Sequence, residues 1–148
     1  MQVELILIYV FAVLGGLVLG SFYNVVIYRF QKGISIISPP SYCPCCKTPL
    51  QSADLIPFFS HLFLRGRCRY CRDKISFRYS AVELLSALLL AASFWRFGFS
   101  PELVKHFPLF SILLIVSAID LDSKKIPNLF IGVIFAWALL WQLLSSGR

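Results

Sequence analysis

The chain has 148 residues, 58% of them hydrophobic and only 14% charged, with a formal net charge of +7. Soluble domains carry about a quarter charged residues, and at a mean hydropathy of +0.77 this chain has more apolar surface than one small core can bury. That excludes an ordinary soluble domain and makes lipid the solvent for much of the polypeptide.

Residues 5–28 form an uncharged run of 24, long enough for a membrane-spanning helix of about 20 residues. A secretory signal peptide places its basic residues before the apolar run. Here Glu4 precedes it, whereas Arg29 and Lys32 follow. Residues 1–28 are therefore read as a permanent transmembrane helix, with Gly15, Gly16 and Gly20 as helix-packing positions.

Residues 29–79 are polar and carry Pro39, Pro40, Pro44, Pro49 and Pro57, which favours turns and short elements over long helices. Arg29, Lys32, Lys47, Arg65, Arg67, Arg69, Arg72, Lys74 and Arg78 face only Asp54 and Asp73, nine minus two, so this segment holds +7. The positive-inside rule places such a loop in the cytoplasm. Nucleic-acid binding would also suit a basic loop, but topology accounts for the charge, and no nucleic-acid partner is expected.

Two residues separate Cys43 from Cys46 and Cys68 from Cys71, with 21 residues between the pairs. Paired thiolates at this spacing can close a tetrahedral shell around zinc, and a cytoplasmic loop disfavours disulfides. Four protein ligands leave no open coordination position, so the expected role is structural. Iron–sulfur chemistry and four unrelated buried thiols are the alternatives. Cys45 lies inside the first pair, but adjacent Cys45-Cys46 makes a poor chelate and is set aside.

A second apolar run, 79–95, is interrupted by Glu83, read as a capping or interfacial charge. Only 13 uncharged residues, 107–119, form the third run. Ser100-Pro101-Glu102 extends it with an N-cap, a first-turn proline and a first-turn acid, while Lys105 and His106 snorkel outward. Neither His61 nor His106 sits in a Cys/His spacing, so both are read as interfacial. After the polar turn 120–125, Pro127 can open a fourth helix, and residues 126–146 give 21 without a charge. Expected is an all-α polytopic membrane protein with about four transmembrane helices, a cytoplasmic zinc loop over 29–79, and the remaining helices over 80–148. Both termini lie outside, in agreement with Lys124 and Lys125 in the second inside loop. No internal repeat is evident.

Asp120 and Asp122 sit where the third helix meets the inner surface, a default functional position, although two acids beside two lysines also describe an ordinary loop. At i and i+2 their side chains diverge on a helix. By themselves they do not make the proton-sharing pair of an aspartic protease.

In order along the chain stand Gly20-Ser21-Phe22-Tyr23-Asn24-Val25-Val26-Ile27-Tyr28-Arg29, Ser41-Tyr42-Cys43-Pro44-Cys45-Cys46, Asp54-Leu55-Ile56-Pro57 and Leu64-Arg65-Gly66-Arg67-Cys68-Arg69-Tyr70-Cys71. Ile75-Ser76-Phe77-Arg78-Tyr79, Val82-Glu83-Leu84-Leu85, and Ile119-Asp120-Leu121-Asp122 followed by Ile126-Pro127-Asn128 complete the series. Over about residues 11–130 the chain thus resembles the N-terminal part of bacterial type IV prepilin peptidases, the leader peptidase/N-methyltransferases. The resemblance implies cleavage of basic leaders from type IV pilin-like precursors at the bacterial inner membrane, with N-methylation of the new terminus. It implies Asp120 as a catalytic aspartate, Asp122 as a secondary acid, and S-adenosylmethionine as a methyl donor. The family's second aspartate lies in a Gly-x-Gly-Asp motif, which none of Asp54, Asp73, Asp120 and Asp122 occupies. The expectation is a chain incomplete for catalysis alone, as a truncated product, as one that takes the second acid from another chain, or as a non-proteolytic relative. The alternative function is a non-catalytic membrane module that binds prepilins or assembly partners through its zinc loop.

Overall fold

The computed structural model describes residues 2–124 and 127–146. It is all-α: α1 (Gln2–Lys32), α2 (Phe59–Phe63), α3 (Arg78–Phe97), α4 (Pro101–Ser123) and α5 (Asn128–Ser146), with a 3-10 turn at Ser52–Leu55. Among the described residues, α1, α3, α4 and α5 are long and apolar enough to cross a membrane. Lys125 and Ile126, which bear on the orientation and on the Asp120 motif, lie outside the described residues.

The glycines of α1 set the main helix crossing. A Cβ added to Gly16 would lie 2.4 Å from Ala87 Cα, and one on Gly20 would lie 2.6 Å from Glu83 Cα. Neither approach admits a side chain, so the two residues let α1 and α3 touch backbone to backbone, as small residues do between membrane helices. Gly15 meets only Leu90, at an ordinary 3.7 Å. Gly16→Leu should therefore force α1 off α3, at a cost of about 3 kcal/mol or more, whereas Gly15→Ala should change little. Thermal unfolding in detergent micelles measures both, and equal melting temperatures for the two variants would contradict the crossing.

Helix α4 completes the packed end. Tyr23, Val26 and Ile27 of α1, Val82 of α3, and Ile115, Ala118 and Ile119 of α4 form the buried cluster, joined by Phe30 and by Phe130 of α5. Tyr23 donates its hydroxyl to Ser111 Oγ at 2.8 Å, and Ser111 donates to the Phe107 carbonyl at 2.9 Å, so the inter-helix polar contact is relayed rather than orphaned. Away from this cluster the helices present large apolar side chains, among them Phe11, Leu88 and Phe135. The chain is a multi-pass membrane protein.

Two elements depart from the sequence expectation in detail. Helix α1 continues past Tyr28 to Lys32, because Phe30 packs into the cluster. It ends where Gly33 takes φ +65°. There Gly33 N–H donates to Phe30 O and Ile34 N–H to Arg29 O, the paired bonds of a glycine-terminated helix. Ser100 has the extended backbone of an N-cap before Pro101, but its side chain makes no capping bond.

Candidate functional site

The proline-rich loop is two copies of one turn. In the first, Cys43 N–H donates to Thr48 O, and Lys47 N–H returns to Cys43 O. In the second, Cys68 N–H donates to Asp73 O, and Arg72 N–H returns to Cys68 O. Lys47 and Arg72, at matching places, both have positive φ. Antiparallel bridges Tyr42–Pro49 and Arg67–Lys74 close the two copies identically. No sequence repeat announces this one, because only the cysteines match between the copies; the rest of the geometry is carried by backbone bonds.

The two turns bring Cys43, Cys46, Cys68 and Cys71 together, with their four Sγ atoms within 4.8 Å of one another. Cys43 Sγ and Cys71 Sγ stand 3.9 Å apart, against ~3.8 Å for the edge of a tetrahedron with zinc–sulfur bonds of about 2.3 Å. Burial pushes the Cys43 thiol up to about 11, although the Cys46 and Cys45 N–H groups favour its thiolate. Thr48, through its hydroxyl and its N–H, draws Cys46 down to about 6. In the second turn the Cys71 and Tyr70 N–H groups lower Cys68 against its burial. Backbone donors aimed at the buried sulfurs are what a thiolate–metal site needs. The four cysteines form a group that could hold a metal ion such as zinc; Cys45 is exposed and stands outside it.

Other motif residues fasten this unit to the helices. Arg29 is buried, and its guanidinium donates to the carbonyls of Ser35, Ile36 and Pro39, fixing the exit from α1. Asp54 accepts from Arg69 Nε at 2.6 Å, from Tyr70 OH at 3.0 Å and from Gln51 N–H at 3.1 Å, clamping the 3-10 turn onto the second cysteine turn. Glu83, read from the sequence as a capping or interfacial charge, is instead buried in α3, where it accepts the Phe58 N–H at 2.7 Å. His61 packs edge-on against Phe77 and His106 stacks on Phe97, both outside the cysteine group.

Asp120 and Asp122 occupy the last turn of α4, a turn with no basic residue. Carboxylates there oppose the helix dipole, so neither is placed for helix stability. Asp122 is compensated from other helices: Arg78, first residue of α3, forms an ion pair with it, and Gln31 of α1 donates to it at 3.0 Å. Asp120 is exposed, and no side chain among the described residues pairs with it. The two acids at i and i+2 thus differ in their surroundings.

Residues 14–97 match the family model "Bacterial Peptidase A24 N-terminal domain". The chain is 46% identical over 113 residues to a prepilin leader peptidase/N-methyltransferase of Bacillus subtilis, covering 76% of this chain and 46% of that protein. It is 40% identical to the type 4 prepilin-like proteins leader peptide-processing enzyme of Escherichia coli, covering 87% of this chain and 57% of that one. A Myxococcus xanthus prepilin leader peptidase/N-methyltransferase is 43% identical, with 88% and 41% covered. The chain spans about half the length of these relatives. No solved structure matches it.

Proposed function

The chain belongs to the bacterial A24 prepilin peptidase family, and from that premise we propose that it serves leader-peptide removal from type IV pilin-like precursors at the bacterial inner membrane, with Asp120 as a catalytic carboxylate. The observation that supports this most is the contrast within one helical turn, where Asp122 is tied to Arg78 and Gln31 while Asp120 has no described partner. An aspartic mechanism needs two carboxylates that share a proton. Within the chain, Asp54 is taken by Arg69 and Tyr70, Asp73 accepts the Lys74 N–H, and Asp122 is paired. None of these aspartates follows Gly-x-Gly, so in this reading the second acid comes from outside these residues, from a further segment or a second chain of the Gly-x-Gly-Asp kind. N-methylation of the new terminus, with S-adenosylmethionine as donor, extends the same proposal. Zinc on Cys43, Cys46, Cys68 and Cys71 is structural and holds the loop over the helix ends.

The experiment is processing of a pilin-like precursor by membranes that contain this chain together with the Gly-x-Gly-Asp-bearing remainder of a relative. Leader removal that needs both pieces is the expected result. Removal with the remainder alone would contradict a catalytic part for this chain.

Orientation is tested separately. With the basic loop in the cytoplasm and both ends outside, reporter fusions after Lys74 and after Arg148 should give opposite location signals. The same signal from both would remove at least one span from the proposed topology.

A further inference from the structure

Between the cysteine turns and the α1–α3 crossing lies a cavity of about 410 Å3, with Ser21, Asn24, Ser80 and Glu83 on its helix side. Two buried polar atoms of its lining have no partner. Asn24 Nδ2 donates to the Tyr79 carbonyl at 2.8 Å, which settles the orientation of the amide, and Asn24 Oδ1 is then left without a partner. Ser80 Oγ is likewise unpartnered. Asn24 is 5% exposed and Ser80 1%, so both atoms are withheld from bulk water and each costs free energy until something bonds to it. Glu83, 8% exposed, accepts the Phe58 N–H at 2.7 Å and hydrogen bonds from the Ser21 and Asn24 side chains, all of them neutral donors.

Of the cations that line the same cavity, the two arginines are already committed. Arg29 is spent on three loop carbonyls and Arg69 on Asp54. Lys74 is exposed, and no ion pair to Glu83 is found among the described residues. A buried carboxylate without a cation is costly, and the neighbouring amide oxygen can only accept. A ligand that satisfies them must donate, and it is best cationic. A guanidinium would want both carboxylate oxygens in a fork, but one is occupied. An ammonium has three N–H donors that can be aimed separately, and the acceptors it would meet are the Glu83 carboxylate, which has no ion pair among the described residues, and the unpartnered Asn24 Oδ1 and Ser80 Oγ.

We propose that this cavity is a binding site for a primary ammonium group of the substrate peptide, held by Glu83, Asn24 and Ser80. The substrate half of the proposal rests on the function proposed above; the ammonium site does not. Two groups on a pilin-like precursor share this chemistry, the amino terminus exposed by leader removal and a lysine side chain of the leader itself.

The test uses the full chain, zinc-loaded and in detergent micelles, with 2-phenylethylamine and its neutral analogue 2-phenylethanol followed by ligand-observed NMR. The amine should bind at least tenfold more tightly than the alcohol, and Glu83→Gln, which keeps the acceptor for Phe58, should abolish the preference at unchanged helicity and zinc content. Should Glu83→Gln lose zinc, Ser80→Ala takes its place and should weaken amine binding about threefold. Equal binding of amine and alcohol by the wild-type chain overturns the site. A second arm compares a pilin-like peptide with a free amino terminus, its Nα-acetyl form, and the acetylated form with one added lysine. Competition with 2-phenylethylamine only by the free terminus assigns the site to the new N-terminus, and competition restored by the lysine assigns it to the leader. A chain that keeps its amine preference while none of the peptides competes retains the ammonium site and contradicts the substrate assignment.

Discussion

Cys68→Ser is expected to empty the metal site and unfold the loop while the helices stay folded. Cys68 is 3% exposed, and its backbone N–H and C=O make both ring-closing bonds of the second turn. The loop between α1 and α3 has no buried hydrophobic residue except Cys43 and Cys68 among those described, so little apolar packing would remain to hold it. Structural zinc contributes on the order of 10–16 kcal/mol in small thiolate sites, far more than the few kcal/mol such a loop can draw from its hydrogen bonds. The α1–α3 crossing depends instead on Gly16 and Gly20 and should survive. Metal analysis should find one zinc per chain in the wild type and none in Cys68→Ser. Limited proteolysis should then cut between Gly33 and Phe77, where the wild type resists. Cys45→Ser should keep its zinc, since Cys45 stands outside the thiol group. Zinc retained by Cys68→Ser, or lost from Cys45→Ser, would contradict the assignment.

What could be seen in the sequence follows the range of the interactions. Spans are local: an uncharged run must be helical in lipid because no water is there to take its backbone groups, so α1, α3 and α5 were visible in composition, and α4 became visible once Ser100-Pro101 supplied its start. The cysteine group was visible because two-residue spacing fixes the bite of each thiolate pair. That its turns are copies is not visible in the sequence, since Thr48 and Asp73 take equivalent places through backbone carbonyls and any residue can provide those. The role of Glu83 depends on Phe58 and that of Asp122 on Arg78 and Gln31, partners far away in sequence that no local pattern announces. The resemblance implies Asp122 as the secondary acid; the structure adds that it faces a cation on another helix.

That difference gives the second large expected effect. Asp120→Asn keeps the shape of the side chain but can neither take nor share a proton, and losing an acid–base group costs on the order of 10²–10⁴-fold in rate. Asp122→Asn removes one member of a partly exposed ion pair, and pairs open to solvent contribute about 1 kcal/mol or less, so less than about tenfold should be lost through the position of the α4 end. Arg78→Gln should resemble Asp122→Asn, because it breaks the same contact from the other side. The most direct measurement is the rate of leader removal from a pilin-like precursor by the chain paired with a Gly-x-Gly-Asp-bearing remainder, compared across wild type, Asp120→Asn and Asp122→Asn at matched zinc content. The account predicts that Asp120→Asn loses at least about 100-fold in cleavage rate while Asp122→Asn retains at least about a tenth of the wild-type rate; cleavage indifferent to Asp120→Asn would contradict it.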